Sequence, residues 1–222
     1  MKIEPVAYFQ SPFQSKFGIP RQSGLVDKII GEVKFVEPYL EADSLRGLAE
    51  FDYLWLIWGF SENVDAEKHS TVRPPRLGGN ERLGVWATRS PFRPNNLGLS
   101  SVKIIKVDTK KMLIEVAGAD LMDGTPIYDI KPYVSFVDSH PGVQSGFADT
   151  HQWESLPVEV PEKYTSILGT ELTEALKQTL ALDPRPHYHD DVNRVYGMIF
   201  SGFNVRFKVG ADGVHVLDLG NI

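Results

Sequence analysis

The chain has 222 residues, 42% of them hydrophobic and none of them cysteine, which suffices for one large domain or a domain with an appendage and excludes disulfides and thiolate metal sites. Its start, MKIEPVAYFQSPF, has no apolar stretch of signal-peptide length and no later run approaches a membrane span, so a cytosolic chain is expected. The net charge of −6 argues against binding polyanions over the whole surface.

Up to about residue 150 the pattern is one of short strands broken by Gly and Pro. Strands are expected at 3–9, 28–36, 53–60, 83–88, 99–107, 112–118 and 126–131, many rich in Val, Ile and aromatics. The run YLWLIWGF (Tyr53 to Phe60) is apolar on both faces and reads as a central, doubly covered strand. DSLRGLAEF (Asp43 to Phe51) is the one helix expected here, with Asp43 or Ser44 as its cap. SVKIIKVD followed by TKKMLIEVAG reads as a hairpin with a Lys-rich turn. Seven short strands with little helix predict a closed or nearly closed antiparallel barrel.

The segment from Ser139 to Pro161, with Pro141, Pro157 and Pro161, reads as a linker. Beyond it the period changes. Leu168, Leu172, Leu176 and Leu180 stand four apart, as on an amphipathic helix. Phe203, Val205, Phe207 and Val209 then alternate with Asn204, Arg206 and Lys208 before a Gly-Ala-Asp-Gly turn. The expected fold is therefore mainly β, with an antiparallel barrel over residues 1–140 and a small α+β domain over 160–222.

The chemistry concentrates in two stretches. The first, GVWATRSPFRPNNLGLS (Gly84 to Ser100), closes a segment in which Arg73, Arg76, Arg82, Arg89 and Arg93 face the single acid Glu81. Such an Arg-rich patch suits bidentate binding of phosphate or carboxylate. The second, ADLMDGTPIYDIKPYV (Ala119 to Val134), holds a tight Asp123-Gly124 turn, and places Asp129, Lys131 and Tyr133 on one face of a strand. Ordinary surface ion pairs remain open as an alternative for both stretches.

Other motifs are absent or weak. There is no GxGxxG after a strand and no Walker loop. Pro91 follows Ser90 where a serine hydrolase would need an amide. HYHDD (His187 to Asp191) has metal-ligand residue types, but Pro184 and Pro186 beside it make a solvated loop the reading, and no metal site is assigned.

Together PRQSGLV (Pro20 to Val26), the stretch Thr71 to Ser100 and DLMDGTPIYDIKPY (Asp120 to Tyr133) resemble the TrmO family, also called YaeB-like or TsaA-like proteins. DPRP (Asp183 to Pro186) and FNVRFKV (Phe203 to Val209) resemble the C-terminal domain of its bacterial members. The resemblance implies a β-barrel, a homodimer, and transfer of a methyl group from S-adenosyl-L-methionine to N6 of threonylcarbamoyl-adenosine beside the anticodon in tRNA. It implies cofactor contacts at Pro20, Arg21, Gln22, Ser61, Glu62, Arg89, Leu99, Met122, Asp123, Gly124 and Thr125. Arg73, Arg76 and Arg93 would face the anticodon loop, Arg206 and Lys208 would hold RNA at a distance, and Asp129, Lys131 and Tyr133 would handle the acceptor's proton or the threonyl carboxylate. The family usually has Asn-Pro-Ile-Gly where this chain has Asn95-Asn96-Leu97-Gly98, and often a His and a polar residue in place of Ser61-Glu62. A non-catalytic RNA-binding barrel, and a methyltransferase for another small acceptor, are the rival readings.

Overall fold

The computed structural model describes residues 2–63, 67–74, 81–150, 155–185 and 191–222. The first part of the chain forms β1 (Ala7–Gln10), β2 (Ile30–Phe35), β3 (Tyr53–Gly59), the two-residue β4 (Thr71–Val72) and β5 (Leu83–Gly84), β6 (Leu97–Asp108), β7 (Leu113–Ala117) and β8 (Pro126–Pro132). Six of these close a barrel in the order β1-β2-β7-β6-β3-β8, with all neighbours antiparallel. Closure leaves no unpaired edge. Ala7, Phe9, Val33, Leu54, Leu56, Val102, Ile114, Val116 and Ile127 fill its interior, each 1% exposed or less.

Several expectations are corrected. The barrel has six strands, not seven, because residues 83–88 pair only over Leu83–Gly84, with β4, and then enter a 3-10 turn at Val85–Ala87. The run 43–51 is two 3-10 turns, Ala42–Leu45 and Leu48–Glu50. Gly47 separates them at φ 84°, a left-handed conformation that stops a helix, and neither turn has a side-chain cap, so Asp43 and Ser44 do not cap one. The outer face of β3 is not covered: Tyr53 is 43% exposed, and Trp55 and Ile57 are half-buried.

The hairpin β6–β7 forms as expected. Its Lys-rich turn is held by the Asp108 carboxylate, which accepts from the backbone N–H groups of Lys110 (3.1 Å) and Lys111 (3.0 Å).

After β8 come two four-residue helices, α1 (Ser135–Asp138) and α2 (Phe147–Thr150), then β9 (Val158–Glu159), α3 (Glu162–Ala181), β10 (Tyr196–Phe200), β11 (Phe203–Gly210) and β12 (Gly213–Asn221). The four strands form a second sheet in the order β10-β11-β12-β9. The expected linker thus ends as a strand, β9, lying parallel to β12. Leu168, Leu176 and Leu180 of α3 are buried and Leu172 packs beside them. The stripe crosses an interruption at Gly169, whose φ of 74° and ψ of 173° are non-helical. On β11, Val205, Phe207 and Val209 face inward and Asn204, Arg206 and Lys208 outward.

This second core is not made by the C-terminal segment alone. Phe13, Val26 and Ile29, from the loop between β1 and β2, are buried in it. Phe13 packs edge-on against Phe200 at 5.7 Å, and Phe17 stacks on Tyr196 and Phe207 at 6.5 and 6.3 Å.

Antiparallel order places three of the barrel's loops on one side. β1, β3 and β7 end, and β2, β6 and β8 begin, at the same rim, so loops 11–29, 60–96 and 118–125 all gather there.

Candidate active site at the barrel rim

Those three loops enclose a cavity of about 610 Å³, a size that suits a small-molecule ligand. It runs from the rim to the outer face of β3 and β6, where Trp55 and Leu99 bound it. Loop 11–29 supplies Pro20, Arg21 and Gln22, the end of β3 and its 3-10 turn supply Ser61 and Glu62, loop 60–96 supplies Arg89 and Arg93, and loop 118–125 supplies Met122 and Thr125.

Each wall is fixed by a local device. Thr125 N–H and Oγ1 both reach the Met122 carbonyl (3.2 and 2.7 Å), closing a four-residue turn whose third residue, Gly124, has φ 75°. A side chain is disfavoured at that φ, which is why glycine stands there. Asp123 and Gly124 do not themselves border the cavity. They pin the turn to β1 and its extension: Asp123 Oδ1 accepts from Ser11 N (3.0 Å), Asp123 N donates to Phe13 O (2.8 Å) and Gly124 N donates to Phe9 O (2.8 Å).

Arg89 donates from Nη1 to Gln22 Oε1, joining two loops across the opening. Lys16 Nζ donates to Glu62 O at 2.8 Å and joins the same two loops a second time. Arg93 donates to Thr88 O at 3.2 Å and lies over the Trp86 ring at 5.5 Å. Three guanidinium or ammonium groups so held offer anion-binding charge, since each bonds to a neutral oxygen.

Asn96 stands where the family usually has proline. Its φ is 44°, a region proline cannot enter and asparagine tolerates. Its side chain uses the freedom: Nδ2 donates to Asn63 O at 2.7 Å, while Asn96 O accepts from Phe60 N at 2.9 Å. The departure removes one restraint and replaces it with bonds to the turn that carries Ser61 and Glu62.

A polar relay at the cavity floor is not visible in the sequence. Trp58 Nε1 donates to Ser100 Oγ (3.0 Å), and Ser100 Oγ donates to Asp120 Oδ1 (2.5 Å). Burial pushes the Asp120 carboxyl above the usual carboxylate range, against the opposing pull of the Ser100 hydroxyl and the Arg89 charge. The only sequence hint was Asp120's place in an acidic stretch. Ser100 lies in an ordinary strand pattern and gave none.

The other expected residues lie elsewhere. Asp129 and Lys131 form an exposed ion pair at 3.0 Å on the outer face, and neither they nor Tyr133 border the cavity. Two of them lie beside its foot: Lys131 is the cross-strand neighbour of Trp55, and the Tyr133 ring is 5.6 Å from that indole. Asp129 borders instead a groove at the opposite rim, with Pro38, Tyr39 and Phe51. Arg73 is exposed after β4, Arg206 and Lys208 are exposed on β11, and Arg76 and the histidines of HYHDD lie outside the described residues. No group of three metal-ligating residues occurs among the described residues.

The comparisons with known proteins bear on the whole chain. The family model of the tRNA-methyltransferase O N-terminal domain matches residues 8–139, and that of the TrmO C-terminal domain matches 154–222. The chain belongs to the TrmO family. It is 38% identical over 228 residues to the Escherichia coli tRNA (adenine(37)-N6)-methyltransferase, covering 98% of this chain and 97% of that one. A probable S-adenosyl-L-methionine-binding protein of Pyrococcus abyssi is 32% identical over 145 residues, covering 65% of this chain and 74% of that one. A crystal structure of TrmO from Pseudomonas aeruginosa superposes with a TM-score of 0.82 at 30% identity, covering 100% of this chain and 98% of that one. The six-stranded barrel is thus the TrmO barrel, and the motif residues that frame the rim cavity are those by which the sequence resembles the family.

Proposed function

We propose that this TrmO-family chain methylates N6 of threonylcarbamoyl-adenosine beside the tRNA anticodon, working in the cytosol as a homodimer. It is an S-adenosylmethionine-dependent tRNA (adenine-N6)-methyltransferase. The observation that carries the reading is the end-to-end likeness to the Escherichia coli enzyme, combined with a cavity of about 610 Å³ framed by the motif loops.

The cavity's chemistry fits the cofactor. Arg89 and Gln22 present donors suited to its carboxylate, Trp58, Phe60, Leu97 and Met122 give apolar wall, and Asp120 faces it as an acid. When bound, the cofactor supplies a methyl group already activated by its sulfonium, so alignment is the protein's main task. The Gly124 turn and the Asn96 bonds hold the walls in place for that purpose. Lys131 and Tyr133, beside the cavity's foot, and Asp129, the ion-pair partner of Lys131, take the acceptor's proton or hold the threonyl carboxylate. Arg73 and Arg93 meet anticodon-loop phosphates, with Arg206 and Lys208 farther along the RNA. Exposed apolar residues, Trp86 at 71%, Leu99 at 56% and Phe136 at 87%, support a subunit contact.

The test is incubation with labelled S-adenosylmethionine and tRNA carrying or lacking the threonylcarbamoyl group, followed by digestion and mass analysis. A methylated nucleoside only from the carrying tRNA is expected. Equal labelling of both tRNAs overturns the acceptor, and no labelling with intact RNA binding favours the non-catalytic barrel.

A further inference from the structure

Asp120 is a half-buried titratable group that the reading above leaves without a task. Its carboxyl ties three pieces of the rim together, receiving the Ser100 hydroxyl and the backbone N–H of Ser23 as well as its own. A purely structural tie needs only an acceptor there. Asp120 is more than that, because it borders a ligand cavity and remains costly to ionise despite three donors. The cations around it are bonded to neutral oxygens, Arg89 to Gln22, Arg93 to the Thr88 carbonyl and Lys16 to the Glu62 carbonyl, with Arg21 also in the lining; of these the Arg89 charge acts on Asp120 without a hydrogen bond to it. Among the described lining residues the other acid, Glu62, is exposed on its 3-10 turn. Asp120 is therefore the carboxyl that gains most from a cation entering the cavity, since attraction between charges strengthens where water is excluded.

We propose that Asp120 is the counter-ion by which the cavity distinguishes the sulfonium donor from its neutral thioether product. The inference rests on the cofactor reading of the cavity and deepens it. In the free protein burial disfavours the ionised form of Asp120. Entry of the sulfonium favours that form, and the proton it displaces goes to bulk water. After transfer the thioether has no positive sulfur, Asp120 takes a proton back from water, and the product is bound less tightly than the donor.

Isothermal calorimetry tests this in buffers of different ionisation enthalpy, over a pH series that extends above the ordinary carboxylate range, the direction in which burial moves Asp120. Three ligands are compared: the donor, an analogue with an ammonium in place of the sulfonium, and the thioether. Release of a proton with both cationic ligands and none with the thioether is expected, with a donor-to-thioether affinity ratio of about tenfold or more. In Asp120→Asn the release vanishes and the ratio falls towards one. A ratio or proton count unchanged in that variant overturns the proposal. If Asp120→Asn does not fold, Ser100→Ala decides the matter. Losing that donor raises the Asp120 pKa, so proton release extends to higher pH, and an unshifted curve overturns the proposal. Equal, proton-free binding of all three ligands to the parent protein refutes the role of Asp120 alone, whereas failure of all three to bind refutes the cofactor site with it.

Discussion

Gly98→Ala isolates the packing on which the cavity floor depends. Gly98 pairs with Trp58 across β6 and β3, and a Cβ built on it would come within 3.0 Å of three carbons of that indole. The ring has little room to yield, because Trp58 is 7% exposed, sits edge-on to Phe60 at 4.4 Å and donates to Ser100. Overpacking of this kind costs about 1–3 kcal/mol, and loss of the Trp58–Ser100 bond adds about 1 kcal/mol. A total of roughly 2–4 kcal/mol lowers Tm by about 5–15 °C in a chain of this size. Trp58 and Gly98 both line the cavity, so displacement of the indole should lower cofactor affinity as well. Thermal unfolding followed by circular dichroism, with a cofactor titration on the same preparation, measures both effects. A Tm within about 1 °C of the parent together with undiminished affinity would refute the reasoning, since the backbone would then have absorbed the methyl group.

Asn96→Pro restores the residue the family usually carries, yet here it should destabilise by about 1–3 kcal/mol, because proline cannot hold φ 44° and the bond to Asn63 is lost; denaturant unfolding with an equal or higher midpoint would contradict this. His215 stands between Asp212 (Nε2 to Oδ1, 3.0 Å) and Glu159 (Nδ1 to Oε2, 2.8 Å), and these partners, Asp212 foremost, raise its pKa above the ordinary histidine value. A raised folded pKa contributes stability below the unfolded value and loses it as pH rises through the folded one. His215→Asn should therefore lower Tm by roughly 2 °C near pH 6 and leave it unchanged near pH 9, and a pH-independent difference would show that the clamp between β9 and β12 is not electrostatic. Arg206, exposed on β11 opposite Asp218, should on replacement by alanine weaken tRNA binding and reduce the salt slope by about one. An identical slope by filter binding would remove it from the RNA surface.

Much of the site was legible because it is built from residues with backbone restrictions. Gly124 at positive φ, the prolines and glycines of the Arg-rich loop and the Asn-Asn pair mark places where the chain must turn, and such marks survive in one dimension. Among the residues that border the cavity, Pro20, Arg21, Gln22, Ser61, Glu62, Arg89, Leu99, Met122 and Thr125 are those the family resemblance implied, whereas Lys16, Trp58 and Asp120 were not expected there. Asp123 and Gly124 were read together with them, but their bonds to β1 make them the scaffold of the turn. Asp129, Lys131 and Tyr133 share a face, as alternation requires. Which face that is, outer and towards the opposite rim, depends on the register of β8 against β3.

Local period and composition thus determined the strands of the barrel, the Lys-rich hairpin, the leucine stripe of α3 and the inward face of β11, because each depends on neighbours within a few residues. Tertiary structure decided the rest. Residues 83–88 have a strand's composition but no partner beyond β4, since barrel closure is satisfied by six others. The loop between β1 and β2 fills the core of the C-terminal sheet, a pairing of segments more than a hundred residues apart that no local pattern encodes. Asp120 became a half-buried acid rather than one more surface carboxylate only when the loop after β7 folded against Ser100. Burial belongs to the whole assembly, and with it the upward push on that carboxyl.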